Sequence, residues 1–421
     1  MLEPVINQPM PFMMSVLYLL VAARVGGEIM ERLGQPAMLG ELLGGVVLGP
    51  LIFGVLMPSA QLRVVADLGV FFLVLLAGLE MKPGDIWEAV RGRGILVALA
   101  GFLVPLALGI EVGWLFGLTV WQTAFLGLCI AITALPISVR LVMDTKIAAT
   151  PIGRALVGAA VVNDIIALLI LGLVLDATQV SSLRVLLRRV AVSLFEVGVF
   201  IALVVLANRI VKLIIRLLGA RAQHRVGHVV NWFKGQEALF ALSIFLVLIF
   251  ASVAEGLGLH FLVGAFIGGM LLSGELMGKR NYETVRRTTT TVTMGFLAPI
   301  FFGHIGLEMT RDVWQSLPLL GLVCLAGVGG KFLGGFLGAR WAGFSPRESA
   351  AVGVGLNGRG TMDLIIATIA LERSLINRDL FSALVFMSIT VTVLVPWAFR
   401  IVHRPLAGPP NGAAPASAGA A

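Results

Sequence analysis

The chain has 421 residues, 58% of them apolar and only 13% charged, with a mean hydropathy of +0.99 and a formal charge of +8. Soluble domains run at roughly 45–50% apolar and 25% charged, so this composition excludes an ordinary soluble protein and points to a polytopic membrane protein. The positive balance does not call for nucleic acid, because excess Lys and Arg in a membrane protein mark cytoplasmic loops.

Glu3 precedes the first apolar run and no Lys or Arg does. The basic front of a cleavable signal peptide is therefore missing, and the run is expected to be the first span. Apolar stretches of the roughly 17–25 residues needed to cross a hydrocarbon core predict about thirteen transmembrane helices. In order they are 11–30, 36–54, 62–80, 94–117, 122–144, 152–175, 189–217, 235–255, 259–275, 290–308, 317–342, 348–371 and 380–402. With the N-terminus outside, 22 of the 31 Lys and Arg fall on the inward side, seven on the outward side and two, Lys331 and Arg359, inside spans. That bias predicts an N-terminus outside and a C-terminus in the cytoplasm. Residues 403–421, rich in Pro, Ala and Gly, read as a disordered tail.

A repeat is visible along this order. "LGELLGGVVLGPLIFG" (39–54) aligns with "VGAFIGGMLLSG" (263–274), matching Gly40, Gly44, Gly45 and Leu48 to Gly264, Gly268, Gly269 and Leu272. "LLAGLEMKPGDIW" (75–87) aligns with "GHIGLEMTRDVW" (303–314). Span two thus pairs with nine and three with ten. A shift of seven spans is odd, so the copies face opposite ways across the membrane, the architecture of secondary transporters. The predicted fold is all-α, with two inverted six-helix repeats. Within a transmembrane domain of 1–402, repeat one covers about 11–175, a linker helix about 189–217 and repeat two about 235–402.

The polar residues of the spans follow the same pairing. Span five carries Thr133 and Pro136 at its centre, and a mid-helix proline removes one backbone bond and displaces another. Its partner, span twelve, reads "AAVGVGLNGRGTMDLIIATIA", where Gly353, Gly355, Gly358 and Gly360 with Asn357 and Arg359 predict an interruption. Such breaks are tolerated at membrane depth only when buried in protein or lining a wet cavity, and the opposed helix ends can hold charge. Arg359 with Asp363 at i+4 is expected to neutralise part of this field. Span six places Asn163 and Asp164 side by side in its middle, where an aspartate disfavours insertion by roughly 2.5–3.5 kcal/mol. Span eleven carries Lys331, a candidate partner for Asp164.

These segments together, "TALPISVRLVMDTKIAATPIGRALVGAAVVNDIIALLI", "GGKFLGG" and "GLNGRGTMDLIIATIAL", resemble the monovalent cation:proton antiporters, on the branch of bacterial sodium/proton and potassium-efflux antiporters. The likeness runs from about residue 12 to 402. It implies a homodimer in the bacterial inner membrane, a crossed pair of broken helices, and a core bundle that moves against a dimerisation bundle. It further implies that Asp164 binds proton or transported Na+ or K+ by turns, with Asn163 its partner, Thr133 a cation contact and Lys331 a basic partner. Two departures stand out. Electrogenic relatives have paired aspartates where this chain has Asn163 first, and potassium-efflux relatives often continue into a soluble nucleotide-binding domain.

Competition of proton and cation for one carboxylate is enough to couple their flows. A proton-uncoupled channel or uniporter, or a non-transporting sensor on the same scaffold, are the alternative readings. An enzyme is not expected, since no nucleophile, base and orienting group converge; nor is a cofactor. Gly353-x-Gly355-x-x-Gly358 lacks a preceding strand and is not a dinucleotide site. His224 and His228 read as part of a solvated cytoplasmic face. Glu80 and Glu308, at matching repeat positions, are expected at helix termini or an interface. Cys129 and Cys324, both in apolar runs, form neither a disulfide framework nor a metal site.

Overall fold

Lipid offers no hydrogen bonds to a backbone, so apolar runs of this kind close their bonds within helices. The computed structural model follows that rule. It describes residues 10–80, 94–133, 138, 141–142, 147, 150–177, 192, 195, 236–257, 260–272, 277–311, 314 and 317–403, and no strand occurs among the described residues. Pro136, His224, His228, the tail beyond His403 and the expected linker helix, apart from Val192 and Phe195, lie outside them.

The helices are α1 (Phe12–Arg32), α2 (Ala37–Leu48), α3 (Ala60–Glu80), α4 (Gly94–Leu115), α5 (Val120–Ala131), α6 (Pro151–Ala177), α7 (Gln236–Gly256), α8 (Phe261–Leu271) and α9 (Lys279–Val292). A π turn, Thr293–Leu297, joins α9 to α10 (Ala298–Glu308), and the series ends with α11 (Leu317–Trp341), α12 (Pro346–Gly355), α13 (Thr361–Glu372) and α14 (Arg378–His403). Seven helical stretches among the described residues are long and apolar enough to cross a membrane by themselves. The π turn sits where Pro299, in the first turn of α10, can donate no N–H and crowds the carbonyl four residues earlier. Arg24 on α1 donates to the Met294 carbonyl there (3.4 Å) and to Glu41 of α2 (3.4 Å).

The helices group into two bundles. In one, α1, α2, α3, α7, α8 and α9–α10 pack together; in the other, α4, α5, α6 and α11 to α14. The first is an interlock of the two aligned segments, made by glycines that let backbones touch. Gly40 and Gly44 of α2 press on the α1 backbone at Gly26 and Ala22, while Gly264 and Gly268 of α8 press on α7 at Phe250, Ala251 and Val247. Their neighbours turn the other way. Gly45 meets Gly303 of α10, and Gly269 meets the Leu75 carbonyl of α3. The Gly-Leu-Glu-Met glycines return the contact, Gly78 onto Phe266 of α8 and Gly306 onto Leu42 and Val46 of α2. Each aligned glycine thus does in one copy what its counterpart does in the other.

In the second bundle the first halves of both interrupted spans begin alike. Thr119 accepts from the Gln122 backbone while Gln122 caps the Thr119 N–H, and Ser345 with Glu348 repeats the arrangement ahead of α12. After Ala131 the chain leaves the helix at Ile132, and after Gly355 at Leu356, resuming at Thr361. Of the residues expected to interrupt span twelve, Asn357, Gly358, Arg359 and Gly360 lie in the break, whereas Gly353 and Gly355 belong to α12, where they allow close packing.

Among the described residues, the bundles meet where α6 touches α8 and α14 touches α10. At the latter end the contact is polar. The buried Glu308 carboxylate accepts from Arg63 of α3 (3.3 Å) and pairs with Arg378 of α14 (3.1 Å), Arg63 lies 3.8 Å from Glu372 of α13, and the Thr310 N–H donates to Ser382 (3.2 Å). Glu308 accordingly lies at a helix terminus and at an interface.

Close helix approach can be tested within one helix. A Cβ on Gly334 of α11 would collide with the Ala100 carbonyl of α4, whereas one on Gly329 meets nothing within 4 Å. Gly334→Ala is expected to destabilise the protein by about 1–3 kcal/mol, read as a lower melting temperature in detergent. Gly329→Ala should melt like the parent.

Candidate functional site

The two interruptions meet inside the second bundle, and their exposed backbone ends are the starting point. The last turn of a helix leaves carbonyls without intrahelical donors and carries partial negative charge. At the end of α5 one side chain takes up this role. The Arg359 guanidinium donates to the carbonyls of Cys129 (2.7 Å), Ile132 (2.9 Å) and Ile130 (2.6 Å), and to Gly327 of α11 (3.4 Å). It is fully buried. Arg359 stands in the gap between α12 and α13, which is why its side chain crosses to another helix.

The positive end of α13 is met by the opposite charge. Asp363 accepts from the Gly360 N–H (2.9 Å) through one oxygen and from the Ser388 hydroxyl of α14 (2.7 Å) through the other. Thr392, one turn further along α14, donates to the Arg359 carbonyl (3.1 Å), and the Asn357 amide donates back to Gly353 (3.0 Å). The crossing is thereby closed on both sides of the gap. Arg359 and Asp363, although four apart, do not share a helix, because Arg359 precedes the helix that Asp363 caps. They act on each other through the field, and each neutralises a different helix end.

Beside this crossing lie Thr133, Asn163, Asp164 and Lys331, all buried. Thr133 follows the end of α5 and its hydroxyl is shared. It accepts from the Lys331 ammonium (2.5 Å) and from the Asn163 amide (3.2 Å). Lys331 also donates to the Gly101 carbonyl of α4 (2.9 Å). The lysine's hydrogen bonds go to Gly101 and Thr133, and Asp164, its expected charge partner, lies close enough to act on it electrostatically. Asn163 turns its amide nitrogen to Thr133 and leaves its carbonyl oxygen, buried, without a donor among the described residues.

The structure therefore brings together Thr133, Asn163, Asp164, Lys331, Arg359 and Asp363, with Asn357, Gly358 and Gly360 forming the gap. Sequence reasoning missed Ser388 and Thr392, whose only signal is a hydroxyl face on an otherwise apolar span, and Gly101, whose signal is the mid-span Pro105 four residues on. Chemically the arrangement has a titratable acid, neutral oxygens and a fixed ammonium, which suits a small cation or a proton. No cluster of three or more metal-ligating His, Cys, Asp or Glu occurs among the described residues.

Comparison with known proteins shows the family. The family model described as sodium/hydrogen exchanger, transmembrane, matches residues 16–401. The Na(+)/H(+)-K(+) antiporter GerN of Bacillus cereus is 29% identical over 394 residues, covering 91% of this chain and 94% of its own. An Na(+)/H(+) antiporter of Enterococcus hirae is 29% identical over 389 residues, 92% of this chain and 97% of its own. The cation/H(+) antiporter 18 of Arabidopsis thaliana is 30% identical, and the match covers 93% of this chain but 49% of that protein. Among solved structures, the sodium proton antiporter MjNhaP1 of Methanocaldococcus jannaschii superposes with a TM-score of 0.71 over 94% of this chain and 99% of that one, at 19% identity. The chain belongs to the sodium/hydrogen exchanger family, a family of membrane transporters.

Proposed function

We propose that the chain exchanges protons for a monovalent cation, Na+ or K+, across the bacterial inner membrane by alternating access, with Asp164 holding either occupant in turn. The observation that carries this reading is the buried meeting of Asp164, Asn163, Thr133 and Lys331 at the crossing of two interrupted spans.

A carboxylate in this place has two competing ligands. Burial favours its protonated form, and a nearby ammonium or a bound cation favours the ionised form. Asn163 and Thr133 supply neutral oxygens next to it. Lys331 supplies a counter-charge when neither ligand is present, and Arg359 and Asp363 keep the crossing's own dipoles neutral while the occupant changes. The bundle of α4–α6 and α11–α14 holds all of these groups and moves against the other bundle. In this reading the static bundle mediates a homodimer, residues 11–175 and 235–402 are the two repeats, and the N-terminus lies outside.

The direct test is reconstitution in liposomes loaded with a pH-sensitive dye, challenged with each cation in turn. Sodium or potassium addition should move protons the opposite way. Cation flux with no proton counterflow would identify a channel instead. Asp164→Asn should lower exchange to the empty-liposome level while the protein still elutes and melts like the parent, and normal exchange in that variant would remove Asp164 from its role. Thr133→Val deletes the hydroxyl shared by Asn163 and Lys331. With a hydrogen bond to a charged group worth about 1.5–3 kcal/mol, the cation concentration at half-maximal rate should rise by about tenfold or more.

A further inference from the structure

We propose that Pro105 is a positioning residue for Lys331: by withholding a backbone N–H it leaves the Gly101 carbonyl as the acceptor that holds the lysine ammonium at the crossing. The functional half of this inference rests on the exchange reading above.

Pro105 lies inside α4, about three turns from either end. In an α-helix the N–H of each residue bonds the carbonyl four residues earlier, and proline has none to give. The carbonyl so deprived is that of Gly101. Inside a membrane an acceptor without a donor costs several kcal/mol, and lipid cannot supply the missing partner. Lys331 does, at 2.9 Å.

The surroundings are shaped for this contact. Gly330, the residue before Lys331, sits against the Pro105 ring and Cα, and Gly334, one turn on, sits against the Ala100 carbonyl and the Gly101 Cα. Two glycines on α11 thus bring its backbone onto α4 where the proline opens the hydrogen-bond ladder. The lysine has three N–H groups. One goes to Gly101 and one to Thr133, so the ammonium is held between α4 and the end of α5. A proline that only bends α4 would have no reason to be matched, four residues back, by a buried cation from another helix.

The two roles separate in a double-mutant cycle. The full chain is made as the parent, Pro105→Ala, Lys331→Met and the double variant, and each is melted in detergent and reconstituted. Pro105→Ala returns the N–H to Gly101. In the parent that N–H competes with Lys331; in Lys331→Met it fills a vacant acceptor. The melting temperature should therefore rise more on Pro105→Ala in the Lys331→Met background than in the parent. In liposomes, Pro105→Ala alone should shift the midpoint of the pH profile of exchange by about half a unit or more and raise the half-saturating cation concentration severalfold. It should change neither in the Lys331→Met background.

Equal increments in melting temperature in both backgrounds would overturn the proposal, whether or not the liposomes exchange. Pro105→Gly, which returns the N–H while leaving the helix free to bend, serves as the second variant, and equal loss of folding by both substitutions in both backgrounds would overturn it too. Absence of exchange by the parent protein would sink the transport reading alone, because the melting cycle does not depend on transport.

Discussion

Backbone groups that a break sets loose inside a membrane have to be bound by the protein, and this constraint organises the molecule around its crossing. Two spans are interrupted, at Ile132 and at Leu356–Gly360, and each interruption exposes a helix end. The ends carry opposite partial charge, about half an elementary charge each. A guanidinium has five N–H donors in a plane, so one Arg359 satisfies several carbonyls at the end of α5 that a lysine could reach only one or two at a time. A carboxylate at the third position of α13 does the reverse. The cost of a single arginine at membrane depth is about 2.5–3.5 kcal/mol on insertion scales, and charge-assisted hydrogen bonds of about 1.5–3 kcal/mol each offset it when three or four form. Burial of Arg359 therefore follows from the breaks, and the breaks are tolerable because of Arg359.

With the crossing neutral, the charges left beside it among the described residues are those of Asp164 and Lys331. That separation matters for exchange. If the helix ends themselves balanced the occupant, loss of a cation would disturb the backbone as well as the acid. Here the backbone is closed by Arg359, Asp363, Ser388 and Thr392 without using Asp164 or Lys331. In the proposed exchange, the occupant would change while the scaffold of the site keeps its bonds.

Much of this was legible in the sequence, and the rest was hidden for identifiable reasons. Aligned glycines pointed to spans two and nine because close backbone contact admits no other residue, and Gly45 and Gly269 make such contacts. The interruption of span twelve was legible because Asn357, Gly358 and Gly360 fall close together around the charged Arg359, a run with little helix propensity. The destinations of long side chains were not. Arg359 and Asp363 stand four apart, the spacing of a helical ion pair, but that rule presumes a helix through both, and the helix begins after Arg359. Lys331 suggested Asp164 by charge alone. A lysine chain is long enough to choose among several acceptors, and its choice depends on a carbonyl freed on α4, a fact of tertiary packing. Pro136, the other breaker in span five, lies outside the described residues.

The pairing of Asn163 with Asp164 follows from the same economy of charge. A second carboxylate in place of Asn163 would stand beside Asp164, and like charges at that distance in a dry site disfavour each other's ionisation. An amide avoids this and has two ends. Its nitrogen is spent on Thr133, the hydroxyl that also holds Lys331, which fixes the orientation of the ring of contacts. Its oxygen then has nowhere to point but away from that hydroxyl, and it remains buried without a donor among the described residues. A proton arriving at Asp164 has no need of that oxygen, whereas a cation shedding its water does. In the exchange proposed above, the site then offers one group that both occupants use and one that only the cation uses, which would let a single acid distinguish the two states it alternates between.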